Sequence, residues 1–500
     1  MRQMIGRIRA RQDLKTVDMI RVVFNAILAH ECKTLGSMLI RGSDGRPYYY
    51  DGLSQKLYYL NPNDRDFASV FLERYTLIRT EDLTRHVVAS MEGFALRQGN
   101  VRELRRFSHF DPVEGVLYLS RYDGTCWRLD GASITTVPNG AGALFIDDDK
   151  GVACDAPQIG PNGVLLPYLV DDLNFVTQTT SGVTPQEQRT LLALWTYAIA
   201  FPELLPTKPL LLLEGTRGSG KTSTIQRIQL AVHGRQQTLS VGIHDEQDFG
   251  VMILRSPLAL LDNIDRMVDW LQDALGAYTM GGTWARRKKY TDDEQIEIRP
   301  SSFLSISTRN PVTFRRDDMA DRCLILRLDR RITNTPLSQM LATVTNTRQL
   351  IYGEWLFGLN RIVAALRQGT RPTTSSYRLA DFATLAHVIG PAIGISKTRV
   401  DFALRGAQSE RDVLTTEGDP LIDLIDRWLS ATKNQERWVS ASDLHGELAL
   451  LAKMHNVTFH MQARLLSTKL REGAAAMARF FAVETLKTPR GVQEFKFVRT

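Results

Sequence analysis

The stretch that most constrains this chain is Leu210-Leu211-Leu212-Leu213-Glu214-Gly215-Thr216-Arg217-Gly218-Ser219-Gly220-Lys221-Thr222. An apolar run reads as a buried strand. A glycine-rich turn, Lys-Thr and a helical pattern from Thr224 to His233 follow. This is the G-x-x-x-x-G-K-T phosphate loop in its strand–loop–helix context. Its glycines let backbone N–H groups turn inward around anionic oxygens, and the helix that follows directs its positive dipole end at the same place. The expectation is a nucleotide site built from Gly215, Thr216, Arg217, Gly218, Ser219, Gly220, Lys221, Thr222 and Ser223. Lys221 is expected on the β- and γ-phosphates of ATP, and the Thr222 hydroxyl on Mg²⁺.

Downstream, Leu258-Ala259-Leu260-Leu261-Asp262 is a second apolar strand, and it ends in an acid. Asp262 at the carboxyl end of a parallel strand can hold the Mg²⁺ water shell, which makes it the second metal residue. The next residue, where a glutamate would polarise water, is Asn263, an amide that orients water but takes no proton. Asp265 is close enough in sequence to substitute for it. A third strand, Phe303–Thr308, ends in Arg309-Asn310-Pro311; Asn310 is the expected γ-phosphate sensor and Thr308 the alternative. Asp318-Met319-Ala320-Asp321-Arg322 leads into the strand Cys323–Leu328. Arg322 falls where a neighbouring subunit's site can receive a cation. The competing reading is a local salt bridge to Asp321 or Asp318.

Between the second and third strands, residues 267–280 read as a helix broken by Gly281-Gly282. A hairpin pattern then carries Arg286, Arg287, Lys288 and Lys289 between Trp284 and Tyr290. Consecutive cations usually mean solvated surface. Interleaved aromatics favour a DNA backbone with stackable bases.

This order of features resembles superfamily 3 helicases, which are AAA+ proteins. Residues 258–330 are more closely similar to ATPases of phages and mobile elements, through Asp262-Asn263, Trp270-Leu271-Gln272-Asp273-Ala274-Leu275, Gly281-Gly282, Tyr290–Glu294, Arg299-Pro300 and Ala320–Arg322. The resemblance implies a ring-forming ATPase, expected as a hexamer, with Arg322 as arginine finger and the 286–289 cations on a hairpin lining a channel for single-stranded DNA. Asn263 departs from the family acid and bears on the rate of hydrolysis, not on nucleotide binding.

The expected fold is α/β: an AAA+ phosphate-loop core with a parallel sheet over 180–335 and a helical lid over 336–417. A helical segment (1–35) and a mixed α+β domain (36–178) precede it, and a winged helix (420–500) follows. In the mixed domain, Tyr48, Tyr49, Tyr50, Tyr58 and Tyr59 are strand core or base-stacking residues; Asp147-Asp148-Asp149 is a poor metal site. In the C-terminal segment the third helix is the expected recognition element for duplex DNA, through Arg464, Lys469 and Arg471, with Lys487 and Arg490 at the wing tip. Docking to a protein partner is the alternative.

A formal charge of +7 and a pI near 9.2 permit nucleic-acid binding without requiring it. Cys32, Cys126, Cys154 and Cys323 lack metal-ligand spacing and read as inert thiols of a cytoplasmic protein. No apolar run approaches the ~18 residues needed to span a bilayer. Replicative unwinding of DNA is the expected activity. An ATP-switched initiator, or a remodelling or scaffold protein without unwinding activity, is the rival.

Overall fold

The computed structural model describes residues 2–10, 16–146, 151–160, 163–236, 239–241, 246–266, 268–282, 284–287, 295–298, 301–333, 335–369, 376–416, 420–455, 459, 461–477, 480–489 and 491–499. Its centre is a five-stranded parallel sheet of β1 (Leu210–Gly215), β2 (Leu239–Val241), β3 (Leu258–Asp262), β4 (Phe303–Thr308) and β5 (Cys323–Leu328), in the order β2-β3-β4-β1-β5. β4 is inserted between β1 and β3, with Leu213 opposite Ser307 and Leu261 opposite Ile306. The carboxyl ends of the phosphate-loop strand and the acid-tipped strand therefore flank one strand end, and that edge is where an open α/β sheet binds ligands.

The leucine run is buried on both sides, as a central parallel strand requires. Side chains alternate across the sheet: Leu211 and Leu213 enter one hydrophobic cluster, and Leu210 and Leu212 the other. The first face is covered by α1 (Pro185–Ala198) and α2 (Lys221–His233). The second is covered by α3 (Glu246–Arg255) and α4 (Asp269–Thr279), through Phe249, Ile253, Leu271, Leu275 and Tyr278. Thr184 starts α1 with a full capping box: its hydroxyl accepts from Glu187 N, and its own N–H donates to Glu187 Oε2 at 2.7 Å.

The 336–369 stretch resolves into α5 (Leu337–Asn346) and α6 (Arg348–Arg367); α7 (Ala380–Ala392) and α8 (Lys397–Thr416) follow. α5 and α6 pack on α2, and α8 packs on α1 and β5. Arg327 at the end of β5 pairs with Glu214 (3.1 Å) on β1 and with buried Glu410 (2.6 Å) on α8, which ties the site edge to the last of these helices.

Residues 36–146 hold two four-stranded sheets and a short parallel pair of 104–105 with 144–145. In the first, 56–59, 47–51, 38–42 and 100–102 lie side by side. Tyr48, Tyr49, Tyr50 and Tyr58 are buried in it, as strand core; Tyr59 is exposed. The second is an antiparallel meander of 108–111, 116–120, 125–129 and 134–138. Its apolar face joins the same cluster as α1 and α6: Phe107 stacks on Trp355 at 6.0 Å and Phe110 meets Phe201 edge-on at 5.6 Å. The hydrophobic core thus crosses residue 180. The chain between meander and α1 runs along β5, where Val176 N donates to Arg327 O and Asp329 N donates to Asn174 O. Asp147, Asp148 and Asp149 lie outside the described residues.

Three longer helices, Pro420–Leu429, Ala441–Met454 and Ala463–Glu472, and the strand pair Phe481–Lys487 and Gln493–Arg499 enclose a separate small core around Trp428, Leu448, Leu466 and Phe497. Val439–Ser440 adds a third strand beside Gln493–Arg499. The Ser440 hydroxyl caps the second helix by accepting from Asp443 N at 3.1 Å. Among the described residues no helix is long and apolar enough to cross a membrane.

Candidate nucleotide site

The phosphate loop closes through two glycines in the left-handed region, Gly218 (φ +84°) and Gly220 (φ +90°), where a side chain is strained. Thr216, Arg217 and Gly218 are exposed at its rim, and Ser219 is buried beneath it. α2 begins at Lys221 directly after Gly220, so the N–H groups of its first turn open into the loop. The Lys221 ammonium folds back inside, donating to Gly215 O (2.6 Å), Thr216 O (3.0 Å) and Ser219 Oγ (3.3 Å). Burial lowers its pKa, against the nearby carboxylates Asp265 and Asp262.

Thr222 and Asp262, forty residues apart, meet: Thr222 Oγ1 donates to Asp262 Oδ1 at 2.7 Å. Ser307, on the inserted strand, donates to the same carboxylate oxygen, and Asn263 Nδ2 donates to the other at 3.2 Å. Asn263 holds φ +61°, and its backbone N–H donates to Ser307 Oγ. Its amide therefore faces Asp262. Asp265 is engaged too: Arg309 donates to it from its backbone N–H and from Nε, both at 2.6 Å. Burial of the Asp265 carboxyl opposes ionisation, yet these bonds pull its pKa below the ordinary range.

Thr308 is buried, and its hydroxyl donates to Ile264 O at 2.6 Å. Asn310 is exposed at the strand end, and its backbone N–H donates to Thr308 Oγ1. Thr216, Glu214, Arg309 and Arg327 line an open cleft of about 250 Å³ beside the loop.

A hydroxyl and a carboxylate in contact are hard oxygen donors of the kind Mg²⁺ accepts, and that ion keeps most of its shell from water and phosphate. Among the described residues no cluster of three or more His, Cys, Asp or Glu forms a self-sufficient metal cage. The donor set fits a magnesium ion shared with a polyphosphate.

Arg322 lies at the other end of the sheet. It precedes β5, whose first residue pairs with Leu210, while Gly215 pairs with Leu328. At ~3.3 Å per residue the two edges are about 20 Å apart. Its guanidinium donates to Gly276 O (2.6 Å) and Thr279 Oγ1 (2.9 Å) on α4. Asp321 turns instead to Arg378 (2.6 Å) and Arg411 (3.1 Å), and Asp318 to Arg316. The local salt bridge considered for Arg322 is thus replaced by contacts to α4.

Arg286 and Arg287 belong to the strand Trp284–Arg287, which pairs with Gln295–Ile298 as an antiparallel hairpin. Lys288, Lys289 and Tyr290 lie outside the described residues. Arg464 and Arg471 are exposed on the helix Ala463–Glu472, and Lys469 is half-buried there; Arg490 is outside the described residues.

Three neighbours of the site carried no sequence motif. Ser307 became legible only once β4 was placed beside β3. Arg331 follows β5 and lies over the loop, with its Nη2 2.9 Å from Ser223 Oγ. Asp172 bridges Arg331 (3.0 Å) and Arg227 (2.8 Å).

Comparison with known proteins adds a match over part of the chain. Residues 180–405 match the family described as "Actinomycete integrative conjugative element replication protein". None of the curated proteins compared matches the chain. Among solved structures, the apo C-terminal region of NrS-1 (residues 305–718) covers 95% of this chain and 98% of its own at 9% identity, with a TM-score of 0.44. JCV helicase, bound to a thiazolopyridine acetamide, covers 39% of this chain and 57% of its own at 13% identity and a TM-score of 0.23. Likeness this distant carries no residue-to-residue correspondence.

Proposed function

We propose, from the match of residues 180–405 to replication proteins of integrative conjugative elements, that the chain is an ATP-dependent DNA helicase or translocase. It works in replication of a mobile element as a ring of identical subunits, with six the expected number. The observation that carries this reading is the Thr222–Asp262 contact beside the buried Lys221. The two halves of a phosphoryl-transfer site lie within one hydrogen bond of each other.

In this reading Lys221 and the N–H groups of residues 215–223 bind the triphosphate, and Thr222 and Asp262 hold the magnesium ion. Bound there, the ion supplies charge neutralisation between phosphate oxygens. Ser307 orients the Asp262 carboxylate, and Asn310 reads the γ-phosphate end. Arg322, too far to serve its own loop, serves the loop of the next subunit once it leaves its contacts on α4. The Arg327–Glu410 pair gives helices 337–416 a route for passing nucleotide state between subunits. Arg286 and Arg287, with Lys288 and Lys289 that follow them in the sequence, meet one DNA strand. The C-terminal segment, read as a winged helix, engages duplex through Arg464, Lys469 and Arg471.

The test is strand displacement on a forked duplex, with Lys221→Ala as control. ATP-dependent unwinding that Lys221→Ala abolishes supports the reading. ATP hydrolysis that displaces no strand at any fork overturns it.

A second reading has its own observation. Asp265 is committed to Arg309, and Asn263 has one amide N–H held by Asp262, so the residues closest to the usual catalytic acid position are both engaged. This favours slow hydrolysis and an ATP-switched initiator. Nucleotide-dependent DNA binding with turnover too slow to drive unwinding would select it.

A further inference from the structure

The structure assigns Arg331 a place in the nucleotide site: we propose that it is a phosphate ligand supplied by the same subunit, held at rest by Asp172. This rests on the reading of the loop as a nucleotide site.

Four observations converge on it. Arg331 is only 9% exposed, although it follows a strand end at the sheet edge where ligands bind. Its guanidinium covers Gly220: a Cβ built there would lie 2.6 Å from Arg331 Cζ, so the arginine head rests directly on the loop glycine. Its backbone N–H donates to Gly218 O, which fixes the chain to the loop. Its Nε–H is buried and has no hydrogen-bond partner among the described residues, whereas the other two nitrogens meet Ser223, Asp172 and Met340 Sδ.

A buried N–H without an acceptor costs stability, and an acceptor that arrives with the ligand removes that cost. The charge count agrees. Arg331 and Arg227 share the single Asp172 carboxylate beside α2. Two guanidiniums on one carboxylate leave net positive charge where the helix dipole is also positive. Burial further lowers the Arg331 pKa, against the pull of Asp172, as expected for a cation waiting for a stronger anion. Ser223, its present partner, is the residue after Lys221-Thr222. The contact therefore falls on the nucleoside side of the phosphate chain, not at the γ-phosphate. Arg331 is expected to bond a phosphate common to ATP and ADP.

Asp172 gives the contact a consequence. It lies in the chain between the meander and α1, shortly before the residues that bond along β5. When phosphate takes over Arg331, Asp172 keeps only Arg227, and that connecting chain is relieved of one tie to the loop.

The test measures equilibrium binding of fluorescent ATP and ADP to the full chain, with melting temperature recorded without nucleotide. Arg331→Ala is expected to weaken ATP and ADP alike, by roughly tenfold to a hundredfold, the range of one charge-assisted hydrogen bond. Arg331→Lys should recover part of this loss. Asp172→Asn should move the other way, leaving affinity unchanged or tighter, because the resting counter-ion is gone. A merely structural ion pair would make both variants weaken binding together. That result, or wild-type affinity in Arg331→Ala, overturns the proposal. Should Arg331→Ala not fold, the sign of the Asp172→Asn effect decides alone. Lys221→Ala separates the two levels. If wild type binds and Lys221→Ala does not, only the Arg331 assignment is at stake. If wild type binds no nucleotide, the site itself is misread.

Discussion

Ser307→Ala removes one oxygen from the middle of the site and leaves the volume almost unchanged. In the structure that buried oxygen donates to the Asp262 carboxylate and accepts from the Asn263 N–H. Losing a hydrogen bond to a charged group costs about 1.5–3 kcal/mol. Leaving the partly buried Asn263 N–H without its acceptor adds up to about 1 kcal/mol, and the two are not independent. A loss of about 3 kcal/mol is expected, a large part of the 5–15 kcal/mol typical of a domain. Denaturant unfolding, followed by the fluorescence of the buried Trp195, reads the stability. Magnesium titration of ATP hydrolysis reads the site, and the half-saturating magnesium concentration should rise, because Asp262 keeps only Thr222 and the Asn263 amide as donors. Stability within about 0.5 kcal/mol of wild type, together with an unchanged magnesium requirement, would refute the reasoning.

Other expectations follow from particular contacts. Phe107→Ala should cost about 3–4 kcal/mol and loosen the meander and the parallel-sheet core in one transition, because Phe107 stacks on Trp355; separate transitions with only the first affected would contradict the shared core. The lowered pKa of Asp265 gives stability that is present above about pH 4 and lost as pH falls through the folded-state value. Arg309→Ala should therefore flatten the acid side of the stability profile, and an unchanged slope would remove the pair from the account. Replacing Arg286, Arg287, Lys288 and Lys289 with alanine should reduce the salt dependence of single-strand binding by about 0.7 in log–log slope for each lost phosphate contact. Lys288→Ala with Lys289→Ala should lower DNA-stimulated ATP hydrolysis, and no change would end the hairpin role.

Much of the centre was legible because its chemistry is local. The phosphate loop needs its strand, glycines and helix in immediate succession, so 210–233 could be read directly. Asp262 was readable because it terminates an apolar run, and Thr184-Pro185 because a cap is a short-range pattern. What depended on the order of strands was not legible. Ser307 is one of two serines on an apolar strand until β4 lies between β1 and β3. Arg331 and Asp172 are 159 positions apart in sequence and meet only over the folded loop. Asp265 was read as a candidate substitute for the acid missing at 263, since nothing near it in sequence shows that Arg309 closes on it. The mixed domain over 36–178 was set apart for the same reason: its sequence does not show that Phe107 and Phe110 pack on Trp355 and Phe201 beyond it.

In the proposed ring, each site is completed across a joint between two copies. The most direct measurement mixes Lys221→Ala with Arg322→Ala, each inactive by itself, and follows DNA-stimulated ATP hydrolysis. If Arg322 serves the neighbour's loop, mixed rings contain joints with an intact Lys221 on one side and an intact Arg322 on the other, about a quarter of all joints at equal mixing. Hydrolysis should then reappear. No recovery on mixing, or full activity of Arg322→Ala alone, would contradict the claim.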